Sequence, residues 1–326
     1  MTLTNGSVVA RRFVRATSGR LVKVLKRAGQ LKASAHKRCG MRVFLTGATG
    51  FIGSFLVPEL INAGHHVVGL TRSDAGAEAL RDAGAEVFRG DVNDLDRLRA
   101  AAEAADGVIH AAFNHDFSNL KQHSENDRKV IETLGRVLVG SDRPLVITSG
   151  TALARSKTGG PVVEADDHVS SAEFPRAATE EAADALITKG GRVMVMRLPQ
   201  VHDTAHQGRI TQHIQLARQK GWVAYVGNGK NRVPAVHVSD AVRLYRLALE
   251  KSHAGARYHA VGERGVALRG IAEVIGAGLN MPVESIRPEQ ALEYFGWMAH
   301  LATIDLTASS TLTRQLLGWN PTGRTC

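Results

Sequence analysis

Thr46-Gly47-Ala48-Thr49-Gly50-Phe51-Ile52-Gly53 is the stretch that decides how this chain is read. The β-rich run Val43-Phe44-Leu45 precedes it, and a helical pattern from Phe51 to Ala63 follows, stopped by Gly64, where a left-handed cap is favoured. A glycine-rich turn between strand and helix is the context a dinucleotide-binding turn requires. Gly47 permits the tight turn off the strand, Gly50 lets backbone approach a pyrophosphate with no Cβ in the way, and Gly53 lets the helix lie close on the sheet. The helix N-terminus then offers free N–H groups and a partial positive charge to phosphates.

Outward from the turn the alternation continues. Strands are expected at 67–70, 86–89, 108–111, 145–148 and 193–196, with helices over 75–83, 95–105, 119–139 and 175–189 between them. Six strands alternating with helices imply right-handed crossovers and a parallel sheet covered on both faces, the doubly wound α/β class. After Leu198 the elements shorten: helices near 212–220, 241–250, 268–278, 289–295 and 310–317, and strands at 236–238 and 258–261. The division expected is a dinucleotide-binding domain over 41–200 and, over 201–326, mostly a smaller C-terminal α/β substrate lobe interleaved with the last sheet strands. No internal repeat or low-complexity tract interrupts this order.

The 326 residues are 44% apolar and 22% charged, which excludes collagen-like, disordered and disulfide-stapled classes. A net charge of +10 suggests a nucleic-acid partner until it is located. Residues 1–40 hold ten basic side chains and no acid, so 41–326 is balanced and no nucleic-acid partner is expected for it. The basic segment reads as a transit peptide, a surface-binding arm, or an extension ahead of a start at Met41, and it lacks the apolar run of a secretory signal. No run of eighteen apolar residues occurs, so no membrane span is expected. Cys39 and Cys326 stand at chain margins, unsuited to a metal site or a catalytic thiol, and their scarcity suits a cytoplasmic location.

The T-G-A-T-G-F-I-G wording resembles the short-chain dehydrogenase/reductase superfamily, in its extended and atypical branches related to nucleotide-sugar epimerases. Four later landmarks share the resemblance: Gly90-Asp91-Val92, Val108-Ile109-His110-Ala111-Ala112, Arg197-Leu198-Pro199-Gln200-Val201-His202 and Val236-His237-Val238-Ser239-Asp240-Ala241. Leu317-Gly318-Trp319-Asn320-Pro321 resembles the closing L-G-W-x-P. The resemblance implies a Rossmann-type fold in which Gly47, Thr49, Gly50, Phe51, Ile52 and Gly53 hold a diphosphate. It also implies that Asp91 and Val92 lie at adenine, Ala111 and Ala112 form a cofactor wall, and Pro199 and Val201 flank the nicotinamide. At the end of the second strand NAD-binding relatives carry an acid for the ribose 2′-OH. Here Thr71 and Arg72 stand instead, and a guanidinium suits a 2′-phosphate, so NADP(H) is expected over NAD(H).

The resemblance also implies a catalytic Tyr-x-x-x-Lys pair, and this chain breaks it. The corresponding positions are Phe174 and Ala178, and the four tyrosines, Tyr225, Tyr245, Tyr258 and Tyr294, all lie downstream. Gly150 stands where the family's catalytic hydroxyl aligns, leaving Ser149 and Thr151 as neighbours. His115, past the fourth strand, and His202, with Asp203 to orient it, join these two as candidates for proton handling. Phe113, Phe174 and Arg232, the last in a Gly-Asn loop, are candidate substrate contacts, and His237 reads as a structural hydrogen-bonding residue. Three functions stay open: an NADP(H)-dependent reductase or dehydrogenase of a small carbonyl or hydroxyl compound, a catalytically silent cofactor-binding regulator, and a nucleotide-sugar epimerase or dehydratase. A homodimer is a further expectation.

Overall fold

A computed structural model describes residues 40–114, 116 and 119–326, with the backbone alone at Arg209. The basic segment 1–39, Cys39 and His115 lie outside the described residues.

The chain from Arg42 alternates strand and helix: β1 (Arg42–Thr46), α1 (Phe51–Asn62), β2 (His66–Thr71), α2 (Asp74–Asp82), β3 (Glu86–Arg89), α3 (Leu95–Glu103), β4 (Gly107–His110), α4 (Leu120–Arg136), β5 (Leu145–Gly150), α5 (Ala178–Thr188) and β6 (Val193–Leu198). Strands such as Val43-Phe44-Leu45 and Val193-Met194-Val195-Met196 are apolar on both faces because helices cover both. Helices α1 and α2 pack on one face around Leu56, Leu60 and Leu80, while α3, α4 and α5 pack on the other around Leu98, Ile131 and Leu186.

With β10 (Arg257–His259), the main sheet runs, in the order of their pairing, β10-β6-β5-β4-β1-β2-β3, all parallel. Its seventh strand, β10, falls on the expected strand at 258–261: between two passes through the lobe the chain returns and covers the open edge of β6. Strand order reverses between β1 and β4, so their crossovers leave in opposite directions and a crevice opens at their carboxyl ends.

The lobe comprises β7 (Gln200–His202), α6 (Arg209–Lys220), β8 (Val223–Val226), β9 (Arg232–His237), β11 (Glu263–Ala267), α8 (Leu268–Leu279), β12 (Val283–Ile286), α9 (Ala291–Phe295) and α10 (Ala299–Thr303). Strands β11, β9 and β7 form one small sheet, and β12 and β8 another. The long α7 (Val238–Lys251) leaves the lobe and packs on the α1 face, and α11 (Thr311–Leu317) ends beside it, where the Trp319 indole donates to the Asp240 carbonyl at 3.0 Å. The expected strand 236–238 lies further upstream, because Val238 already begins α7 with His237 as its N-cap. Among the described residues no helix is long and apolar enough to cross a membrane.

Candidate functional site

At the crevice, Gly47 holds a φ of +71°, and a Cβ there would stand 2.7 Å from the backbone of Ala111 and Ala112. A Cβ on Gly53 would fall 2.0 Å from the Gly47 carbonyl oxygen, so α1 lies against the turn as only glycine allows. Gly50 is the N-cap of α1 and brings no side chain, and the first turn holds no acid. Its leading N–H groups therefore have no side-chain acceptor, an arrangement that fits an anionic diphosphate. Thr49 and Gly50 are exposed at the rim, and Phe51 and Ile52 are partly buried beside them.

The rim beyond β2 is polar. Thr71 is buried, while Arg72 reaches into solvent at 84% side-chain exposure with Nη1 3.5 Å from Asp91 Oδ2. The Asn93 backbone N–H donates to Asp91 Oδ1 at 2.8 Å, and that bond, with Arg72 adding to it, holds the Asp91 carboxyl below the usual range. The neighbouring acid on α2, Asp74, is paired with Arg89 at 2.6 Å, and Ser73 caps α2 by accepting from the Gly76 N–H. No acid terminates β2, and Val92 packs on the second core.

Behind the cradle runs a buried polar chain. Thr46 Oγ1 meets His110 Nδ1 at 2.7 Å, and His110 Nε2 meets Asp127 Oδ1 at 2.9 Å. Asp127 Oδ2 accepts from Arg176 Nη1 at 2.8 Å and Thr179 Oγ1 at 2.5 Å. Arg176 also donates to the Thr148 carbonyl at 3.1 Å and lies with its guanidinium 3.8 Å from the Phe113 ring centroid. Burial pushes the Asp127 carboxyl up, but Arg176, His110 and Thr179 outweigh it and hold the group ionised below the ordinary range. Thr148 Oγ1 lies 2.6 Å from the Tyr245 hydroxyl, whose own ionisation burial pushes far up, leaving it a neutral phenol.

The hydroxyls singled out in the sequence point inward. Ser149 Oγ donates to Glu180 at 2.7 Å, inside a second buried network where Arg197 grips Glu180 with two bonds of 2.8 and 2.7 Å. Thr151 is buried, with Leu198 O 3.5 Å from its Oγ1. Phe174, by contrast, is 42% exposed, whereas Ala178 is fully buried. His202 lies buried on β7, edge-on to His237, and its Nε2 has no hydrogen-bond partner among the described residues, with Glu263 3.9 Å away. Burial, then the His237 ring, lowers its pKa, so it is neutral.

Asp203 does not orient His202, because its carboxylate accepts the backbone N–H groups of Ala205 and His206 and shapes the following loop. That loop lays His206 on Phe51, with ring centroids 5.1 Å apart, over the start of α1. Pro199 and Val201 lie at the turn from β6 into β7, partly buried and buried respectively. Arg232 is held by Asp305 through bonds of 3.0 and 2.7 Å. Among the described residues no cluster of three or more His, Cys, Asp or Glu is placed to hold a metal.

The sequence reading missed Arg176, Asp127 and His110. His110 had a signal, an imidazole inside the apolar run Val108-Ile109-His110-Ala111, whereas Asp127, in Glu125-Asn126-Asp127-Arg128, and Arg176 had none.

Comparison with known proteins fits this geometry. The NAD dependent epimerase/dehydratase family profile matches residues 43–261. An uncharacterized protein of Schizosaccharomyces pombe is 44% identical over 87% of this chain and 96% of its own, and one of Saccharomyces cerevisiae is 41% identical over 86% and 95%. A sterol-4-alpha-carboxylate 3-dehydrogenase, decarboxylating, of Dictyostelium discoideum is 26% identical over 64% and 67%. Among solved structures, the dTDP-glucose 4,6-dehydratase DesIV of Streptomyces venezuelae, with NAD and TYD bound, superposes with a TM-score of 0.70 at 20% identity, covering 87% of this chain and 93% of that one.

Proposed function

The chain belongs to the NAD dependent epimerase/dehydratase family, and on that footing we propose that it is an NADP(H)-dependent oxidoreductase acting on a small carbonyl or hydroxyl compound. The reading rests on Gly47, whose backbone conformation and contact with Ala111 and Ala112 leave the start of α1 bare for a diphosphate at the carboxyl edge of the sheet. The dehydrogenase relative supports redox chemistry in this fold. Arg72, standing where an acid would favour NAD, supports the 2′-phosphorylated cofactor.

The nicotinamide, when bound, supplies or accepts the hydride. Arg176 supplies the positive charge that the missing lysine would have brought to the end of β5. Its guanidinium is fixed by Asp127, Thr148 and the Phe113 ring, so it is preorganised to hold a carbonyl oxygen as negative charge develops there. With Ser149 committed to Glu180, the proton that completes the alcohol comes from water. Phe113 and the exposed Phe174 offer an apolar border for the substrate.

The second reading, cofactor binding without turnover, is favoured by two observations: Phe174 has no proton to give, and the Thr148 and Ser149 hydroxyls are taken up by buried partners. Single-turnover oxidation of NADPH across a panel of aldehydes and ketones separates the two. We expect oxidation with at least one carbonyl class, about 100-fold slower in Arg176→Lys with cofactor affinity unchanged, as removal of a positioned donor predicts. Tight NADPH binding with no oxidation by any compound ends the enzymatic reading and leaves the second.

A further inference from the structure

The buried chain behind the cradle has one closed end and one open end. At the closed end Thr46, one residue ahead of Gly47, accepts from the Ala112 N–H at 3.4 Å and meets His110 at 2.7 Å. At the open end Arg176 spends one N–H on Asp127 and another on the Thr148 carbonyl. Its side chain stays 15% exposed, and the rest of its fork of N–H groups has no acceptor among the described residues. The neighbouring Glu180–Arg197 pair is fully buried and has no such exposed edge. Only the first network delivers a charged group to the crevice.

His110 stands between the two ends, at the last position of β4, and its neighbours dictate the direction of its bonds. Asp127 Oδ2 already accepts from Arg176 and Thr179, and a carboxylate paired with a guanidinium has only acceptors to offer. His110 Nε2 therefore carries the proton that Asp127 Oδ1 receives at 2.9 Å. Arg176 balances the Asp127 charge, so a cationic ring would add a second buried charge without a partner, and Nδ1 is the acceptor of the Thr46 hydroxyl. Both oxygens of Asp127 and both nitrogens of His110 are thereby engaged. No proton is left to travel along this chain, so what it holds is geometry.

The consequence falls on Arg176. A carboxylate held through one oxygen can swing about its Cβ–Cγ bond and carry its partner with it. His110 takes the second oxygen and stops that swing, and Thr46 stops the imidazole from following.

We propose that His110 is a positioning residue: through Asp127 it fixes the direction in which Arg176 presents its remaining N–H groups to a substrate oxygen. Its use in catalysis rests on the oxidoreductase reading above, whereas the immobilised guanidinium is measurable without turnover.

Two substitutions split the imidazole between them. His110→Gln keeps a donor at the Nε2 position for Asp127, and His110→Asn keeps an acceptor at the Nδ1 position for Thr46 while leaving Asp127 Oδ1 free. In cofactor-free protein with ¹⁵N-labelled arginine, the two terminal nitrogens of Arg176 are expected to give sharp, separate signals in wild type and in His110→Gln. In His110→Asn they should broaden by exchange, because the loosened guanidinium rotates. The wild-type His110 ring is expected to carry its proton on Nε2, a result that needs no variant to fold. In single-turnover NADPH oxidation, His110→Asn should be about 10- to 100-fold slower with cofactor affinity unchanged, and His110→Gln should regain most of that rate, as an outer residue that aims a donor predicts. A proton on His110 Nδ1 alone, Arg176 signals alike in all three proteins, or an equal loss of rate in the two variants overturns the proposal. The expected signals together with no oxidation by any carbonyl end the enzymatic reading and leave the anchoring of Arg176 by His110 in place.

Discussion

Arg176 and Asp127, 49 residues apart in the chain, face each other at 2.8 Å beneath the carboxyl edge of the sheet, their side chains 15% and 4% exposed. The pair ties the turn before α5 to α4, and through His110 to β4.

Removing one partner leaves a buried charge. Arg176→Met is expected to lower unfolding stability by about 3–5 kcal/mol, and adding Asp127→Leu to recover a good part of that loss. Urea denaturation of both single variants and the double measures the coupling. Strict additivity argues against an energetically linked pair.

The three glycines of the turn separate by function. Gly53→Ala is expected to destabilise the fold, because its Cβ would meet the Gly47 carbonyl at 2.0 Å. Gly47→Ala carries about 1–3 kcal/mol of backbone strain in addition to its clash. Gly50→Ala meets only the Gly47 oxygen at 3.3 Å, so it is expected to fold and to lose cofactor affinity. Thermal melts and nucleotide titrations on the three variants read the difference.

Cofactor choice is expected to follow Arg72. Its exposure puts the contact at the weak end of charge-assisted bonds, so Arg72→Ala should lose about tenfold in NADPH affinity with NADH affinity unchanged. Equal loss for both nucleotides places Arg72 away from the 2′-phosphate.

Stability is expected to fall in mild acid. His259 donates from Nδ1 to the Ser309 carbonyl and its Nε2 lies 3.4 Å from Arg197 Nη1, and burial, with Arg197 adding to it, lowers its pKa from 6.5 to about 4. A base whose folded pKa is depressed takes up its proton first in the unfolded chain. Its contribution is therefore complete above pH 6.5 and is lost as pH falls toward 4, on the order of 3 kcal/mol in all. His213 acts in the same window and direction. Urea midpoints measured between pH 4 and 7 should slope upward, and His259→Gln should flatten the slope.

Restoring the family's catalytic pair is expected to fail on structural grounds. Phe174→Tyr puts a hydroxyl at an exposed position and should fold normally, whereas Ala178→Lys drives an ammonium into a fully buried site. The double variant should show a clearly lower melting temperature and no gain in NADPH oxidation. A gain marks the site as a reductase centre that has lost its acid.

The sheet, its helices and the glycine turn were legible because their signals are local: apolar runs of four to six residues, amphipathic stretches and glycine stops. Strands β8 and β12 were not, since Val223 pairs with Val283 across sixty residues and nothing near either announces the other. Strand β11, Glu-Arg-Gly-Val-Ala, alternates too weakly to read as a strand alone. The cradle was legible because glycine itself is the signal. Arg176 was not, because a lone arginine in Pro-Arg-Ala-Ala looks like a surface residue until Asp127 is brought beside it. Ser149 is the opposite case: its position suits catalysis, and only the fold reveals that its hydroxyl donates to Glu180.

The return of Arg257–His259 to the edge of β6 falls between the two segments of the lobe, 200–237 and 263–303, so the lobe is stitched to the sheet in mid-course. Gene fragments that stop anywhere between residues 200 and 256 consequently leave β6 with a bare row of amides and carbonyls, ready to pair with a neighbouring molecule. The Rossmann half of this protein is thus unsuited to life as a truncation, and domain dissection should remove the two lobe segments separately while keeping α7 and the sealing strand between them.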